Sequence, residues 1–353
     1  MSIETLPGII SKMITSSRLT TRVLFSGPED GVPVLFLHGN HSSATWWEET
    51  MLALPPGFRG IAPDLRGYGD ADYDKLIDST RGMGDWVDDA FALLDALEIE
   101  EAHAVGSSLG GVVIWRMIAD APARLLTVTQ VSPGSPYGFG ATKDLDGMPT
   151  NEDFSGSGGG LINPEFLKRL TEKDTSAESP LSPRSALRTL LVMPGFSVPR
   201  EDTLVNSMLS THVGDKIYPG DSTPSPHWPF VAPGVWGPNN ALSPKYVRAD
   251  VPRLLAADPK PPVLWVRGAQ DLSVSDTASA DMGTLGKMGL VPGWPGEDVY
   301  PSQPMLGQTR AVLDNYAARG GRYEEVVIED CRHVAYIEKP EEFNAVFHPH
   351  IQG

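Results

Sequence analysis

Short apolar runs alternating with helical periodicities mark both ends of this chain and are missing from its middle. Two β-rich segments, Ile9 to Ser16 and Leu19 to Phe25, come first, followed by turn residues at Gly27-Pro28-Glu29-Asp30-Gly31. Val32-Pro33-Val34-Leu35-Phe36-Leu37 is continuously apolar, as a parallel strand buried on both faces must be. Ser42-Ser43 can cap a helix reaching Leu54, and Gly60-Ile61-Ala62-Pro63 reads as a strand leaving into a tight loop. From Met83 to Leu97 the apolar positions Trp86, Ala90, Leu93, Leu94 and Leu97 recur at three and four residues, which predicts an amphipathic helix. A strand from Ala102, a helix from about Gly111, and a strand over Leu125–Val131 follow. Strand and helix in alternation over residues 32–132 predict an α/β fold with a largely parallel sheet and helices on both faces.

That alternation stops at Ser132 and resumes only with the strand beginning Pro262-Val263-Leu264-Trp265; a further strand is expected at Tyr323–Ile328 and a terminal helix from Lys339-Pro340. The expected division is therefore a core domain of residues 1–132 and 259–353, a cap of residues 133–258, and an additional insertion, 280–305, near the active-site edge. Within the cap, helices are expected at 164–174, 182–193 and 199–212. Phe154-Ser155-Gly156-Ser157-Gly158-Gly159-Gly160 is flexible by composition, a hinge on which the cap could move. Six prolines in 219–238 exclude regular helix, while Trp228, Phe230 and Trp236 among them supply apolar area to bury.

Composition narrows the function. A formal charge of −17 disfavours a nucleic-acid partner and docking on anionic membranes. One cysteine, Cys331, excludes an internal disulfide, and no apolar stretch reaches the length of a membrane span. With no export signal at the N-terminus, a soluble cytoplasmic protein is expected. His38 and His41 have no third ligand at a plausible spacing, so no metal is expected.

The chemistry gathers around Gly106-Ser107-Ser108-Leu109-Gly110. On its own, small–x–Ser–x–small fits an inert turn. Here an apolar strand precedes it and a helical pattern follows, so the chain must turn sharply and the apex residue is strained. Ser108 is that apex; taking Ser107 instead would put Val105 and Leu109 where small residues are needed. A serine hydroxyl is a weak nucleophile that needs a base and a carboxylate to orient the base. Of eight histidines, only His38, His41 and His333 fall just after predicted strands, at the edge where open α/β sheets place their sites. His333 is the base candidate, with His38 expected to make structural hydrogen bonds. Asp271 is the acid candidate, with Asp276 as its competitor. The Leu109 amide is one oxyanion donor, and Asn40, with His41 next, offers the second. Asp64 and Arg66 are expected to hold their loop, and Cys331 to be packed.

With these residues in place the chain resembles the α/β-hydrolase superfamily over about residues 20–132 and 258–350. The resemblance rests on His38-Gly39-Asn40, on Asp64-Leu65-Arg66-Gly67-Tyr68-Gly69, on the Ser108 pentapeptide, on Asp271, and on His333 ahead of Ile337-Glu338-Lys339-Pro340-Glu341-Glu342-Phe343. It implies an eight-stranded, mostly parallel sheet, a helical cap after the sixth strand, and no cofactor. Serine at position 108 speaks against the epoxide hydrolases and haloalkane dehalogenases, which carry aspartate there. Two features depart from compact members: the cap of about 125 residues, and the 62 positions between Asp271 and His333. The function expected is a serine hydrolase cleaving a small-molecule carboxylic ester or lactone, with a bulky apolar substrate held by His41, Trp228, Phe230 and Trp236. Two alternatives stay open, a carbon–carbon bond hydrolase of the same fold and a ligand receptor built on it.

Overall fold

A computed structural model describes residues 3–353. Its centre is a sheet of β1 (Ile10–Thr15), β2 (Thr20–Ser26), β3 (Val32–Leu37), β4 (Phe58–Pro63), β5 (Ala102–Ser107), β6 (Leu125–Val131), β7 (Val263–Gly268) and β8 (Tyr323–Ile328), in the spatial order β1-β2-β4-β3-β5-β6-β7-β8. The first two strands join antiparallel; β3 to β8 all run parallel. The strands of the central sheet begin and end within about two residues of their expected limits; the inner ones are buried runs bounded by turn residues, while the edge strands β1 and β8 are largely open to solvent.

Alternation along the strands divides the core in two. Leu35 and Leu37 face one layer with α1 (Gly84–Ala96), α2 (Leu109–Asp120), α3 (Val251–Ala256) and α4 (Met305–Ala318). Val34 and Phe36 face the other, where Trp47 packs with Phe343, Phe347 and Ile351 of α5 (Pro340–Gln352). The Ser42–Leu54 helix is shorter than expected: Ser43 caps a 3-10 turn, Ala44–Trp47, that continues as Glu48–Leu52.

Residues 132–262 lie between β6 and β7 and add no strand to the sheet. They hold the helices Pro164–Thr171 and Glu201–Leu209, and a turn Pro183–Ala186 that widens into a π-helical turn at Leu187–Leu191. The proline-rich stretch contains an antiparallel ribbon pairing Ser222–Pro224 with Val231–Pro233. This segment seats on the core through Leu170, Leu187 and Leu204, which join the second layer, and through Arg200, whose guanidinium grips Glu48 and Glu49.

The glycine-rich stretch is packed rather than an open hinge. Ser155 Oγ donates to the carbonyls of His227 and Trp228, Ser157 Oγ pairs with Ser243 Oγ at 2.7 Å, and the Gly159 amide donates to Asn240 Oδ1. A Cβ on Gly160 would lie 2.5 Å from Val231 Cγ1, so this glycine is needed for close approach. No helix among the described residues is long and apolar enough to cross a membrane.

Candidate active site

The sheet order reverses direction between β3 and β5, since β3 is flanked by β4 on one side and β5 on the other. Such a switch point leaves a crevice beyond the carboxyl ends of the strands. Leu37 is paired with Gly106, so the chains that follow, 38–41 and 107–109, leave the sheet side by side. A Cβ on Gly39 would meet the Ser108 Cβ at 3.1 Å, so the two loops are in contact.

Ser108 stands at φ 54°, ψ −112°, between β5 and α2, in a conformation that L-residues avoid. Its neighbours explain how the turn closes. A Cβ on Gly106 would sit 2.6 Å from the Gly110 carbonyl, and one on Gly110 would sit 2.2 Å from Leu37 O. Gly110→Ala therefore forces backbone atoms apart, and its melting temperature should fall by an amount equivalent to roughly 3 kcal/mol or more. A variant melting within a degree or two of wild type would show that the turn can open without loss. The Leu109 amide belongs to the first turn of α2, where N–H groups have no intrahelical acceptor, and the Asn40 amide has no main-chain acceptor among the described residues.

Asp271 follows β7 and His333 follows β8 at the same sheet edge, and they meet: His333 Nδ1 donates to Asp271 Oδ2 at 2.8 Å. Both are buried. The other carboxylate oxygen, Oδ1, accepts from the amides of Ser273 and Val274 at 2.7 and 3.1 Å, which fixes the carboxylate. With Nδ1 committed, Nε2 is the ring position left to accept a proton. Asp276 is exposed and accepts instead from the Leu306 and Gly307 amides at the start of α4. No hydrogen bond joins Ser108 Oγ to the imidazole among the described residues. Such contacts commonly tighten only when substrate binds.

The Asn40 side chain is held from both sides: its Oδ1 accepts from the Tyr68 hydroxyl at 2.7 Å, and its Nδ2 donates to Asn239 Oδ1 at 3.0 Å. Neither Tyr68 nor Asn239 was singled out from sequence. Tyr68 had a signal, as the central residue of Gly67-Tyr68-Gly69; Asn239 had none. His41 adopts φ 50° and packs its ring on Tyr218 and Phe166, and burial pushes its pKa down to about 3. His38 is structural: its Nε2 accepts from the Leu65 amide, Nδ1 faces Gly39 O, and burial holds its pKa near 4. Asp64 accepts from Arg22, Ala44 N and Asp70 N, and Arg66 makes a two-pronged pair with Asp89, which explains the closed loop. Cys331 is fully buried, and burial pushes its thiol pKa up.

The three cap aromatics, expected to line an apolar pocket, have different surroundings. Trp228 packs edge-on against Tyr300 and donates to Pro292 O, so it cements the 280–305 segment to the cap. Phe230 is 61% exposed. Trp236 is covered by the Lys216 ammonium. Of the three, Trp228 has its apolar area taken up by packing against the 280–305 segment.

Among curated proteins, 125 residues are 37% identical to a non-heme chloroperoxidase of Streptomyces lividans, covering 35% of this chain and 44% of that protein. A stretch of 142 residues is 31% identical to 2-hydroxymuconate semialdehyde hydrolase of Pseudomonas sp. strain CF600, covering 39% of this chain and 48% of that protein. Another match, 28% over 160 residues, is to the uncharacterized carboxylesterase nap of Bacillus subtilis strain 168, covering 42% and 52%. The chain thus spans about half the length of the curated relatives it matches. Among solved structures, 2-hydroxy-6-oxo-6-phenylhexa-2,4-dienoate hydrolase from Rhodococcus sp. strain RHA1 superposes with a TM-score of 0.58 at 19% identity, over 98% of this chain and 99% of that one. The alpha/beta hydrolase fold family matches residues 32–293, well over half of the sequence, and with the strand order and the turn at Ser108 described above, the chain belongs to that family.

Proposed function

We propose that this protein hydrolyses a small-molecule carboxylic ester or lactone through an acyl-enzyme formed on Ser108. The observation that carries this reading is the imidazole of His333, fixed by Asp271 at the sheet edge that also presents a strained serine. In the first half-reaction Ser108 Oγ bonds to the carbonyl carbon while His333 Nε2 takes its proton. The carbonyl electron pair moves to oxygen, where the amides of Leu109 and Asn40 donate to it. When the intermediate collapses, the carbon–oxygen bond to the alcohol breaks and the alcohol leaves with the proton from the imidazolium. Water then repeats the sequence on the acyl-enzyme, which releases the acid and restores the serine. Asp271 keeps the imidazole in its tautomer and stabilises its cation. The carboxylesterase name carried by one relative is in keeping with this chemistry.

The same three side chains can also support cleavage of a carbon–carbon bond in a vinylogous diketone, and the match to a semialdehyde hydrolase favours testing it. Purified protein should turn over p-nitrophenyl esters and be modified by a fluorophosphonate. Turnover of dienoate ring-cleavage products with no ester turnover would decide for the carbon–carbon reading. Absence of both reactions and of the label would leave a binding protein.

A further inference from the structure

The loop that carries His333 is bound along its length to one short piece of the cap. The turn Pro183–Ala186 widens at Leu187–Leu191, where the Val192 amide reaches back to Leu187 O at 3.3 Å, a five-residue step. The last carbonyls of any helical turn lack intrahelical donors. Here they are supplied from the histidine loop. The His333 amide donates to Leu191 O at 3.1 Å, and the Arg332 guanidinium donates to Thr189 O and, at 3.3 Å, to Val192 O. A cation at the negative end of the turn is also electrostatically favoured.

Glu338 closes the arrangement from beneath. It is 4% exposed and forms no ion pair among the described residues; its Oε1 accepts from the Met193 amide at 2.5 Å and its Oε2 from the Arg332 amide at 2.8 Å. A buried carboxylate is tolerated only where hydrogen bonds replace its water. One of these two bonds comes from the cap and the other from the residue before His333. Withdrawing the cap segment would therefore leave the carboxylate under-bonded and remove the Leu191 acceptor from His333 at the same moment.

We infer that Glu338 and Arg332 are positioning residues through which the cap segment Thr189–Met193 sets the place of the His333 imidazole, so that the base is fully aligned only when the cap is docked. This rests on the reading of Ser108 and His333 as nucleophile and base. The cap then completes the site in addition to covering it. The matching contact on the other side, Asn239 with Asn40, places a second cap residue on the proposed oxyanion loop.

The test compares Glu338→Gln, Arg332→Met and Arg332→Lys with wild type, using p-nitrophenyl butyrate turnover, the rate of fluorophosphonate labelling, and circular dichroism to verify the fold. Glu338→Gln keeps shape but turns an amide NH₂ toward one of two donors. Arg332→Met keeps the stem and loses the donors; Arg332→Lys restores one. A misplacement of the base by a fraction of an ångström to 1 Å should lower kcat and labelling together by up to about 10²-fold. KM should stay within roughly twofold, and Arg332→Lys should recover part of what Arg332→Met loses. Folded variants with wild-type kcat, or a raised KM at unchanged kcat, overturn the inference. If Glu338→Gln does not fold, the Met and Lys variants of Arg332 decide. A wild-type chain that takes no label overturns the nucleophile reading itself, and this inference with it; full-rate labelling of every variant overturns this inference alone.

Discussion

Ser108→Ala is expected to abolish ester turnover and fluorophosphonate labelling together, with a loss in kcat of about 10⁶. The size follows from what the substitution removes. With the proposed nucleophile gone, the proposed oxyanion donors and substrate binding alone remain to favour attack by water, a residual of roughly 10³–10⁴ over the uncatalysed reaction. The fold should be untouched, because the turn is closed by backbone and glycines, and the Ser108 hydroxyl takes no part in it: the Ser108 amide bonds Val131 O, and Ser108 O accepts from Gly111, Val112 and Gly134. His333→Ala should cost a similar factor, and the double variant little more than either alone, since nucleophile and base act as one unit. Retention of even a tenth of the turnover by a folded Ser108→Ala would remove Ser108 from the reaction.

The parts of the molecule that could be read from sequence are those whose physics is local. Val34–Leu37 had to be a doubly buried strand because nothing polar interrupts it, and Gly106 and Gly110 had to flank an apex because no side chain fits there. His333 and Asp271 were legible because each follows a strand-like run bounded by turn residues, and their 2.8 Å pairing joins positions that the sheet itself brings together. The cap was not legible in this way. Its aromatics announced burial without naming a partner, and for Trp228 the structure supplies the 280–305 segment. Its glycines suggested freedom, whereas Gly160 is there for want of space. Contacts such as Met193 with Glu338, 145 positions apart, leave no periodicity or spacing to detect. What local pattern could not convey is how the cap is seated, and the alignment of the base depends on that seating in the inference drawn above.

Asp271→Asn separates orientation from charge at the same site, and it should lower kcat by roughly 10⁴, as the corresponding change does in serine proteases. Asparagine is nearly isosteric, and its carbonyl can still accept from Ser273 and Val274 in the place of Oδ1. The amide nitrogen then faces His333 Nδ1 and donates to it, which reverses the bond seen with the carboxylate. The imidazole is driven to the tautomer with its proton on Nε2, where it can no longer accept from Ser108, and the imidazolium that forms in the reaction loses its counter-charge. Asp276→Asn is the control with the same chemistry at the competing position. Asp276 caps the amides of Leu306 and Gly307 in solvent, a role asparagine fills about as well, so activity and melting temperature should barely change. A large loss in Asp276→Asn beside a mild one in Asp271→Asn would transfer the role of acid to Asp276, and would mean that the 280–305 segment and the start of α4 rearrange when substrate binds.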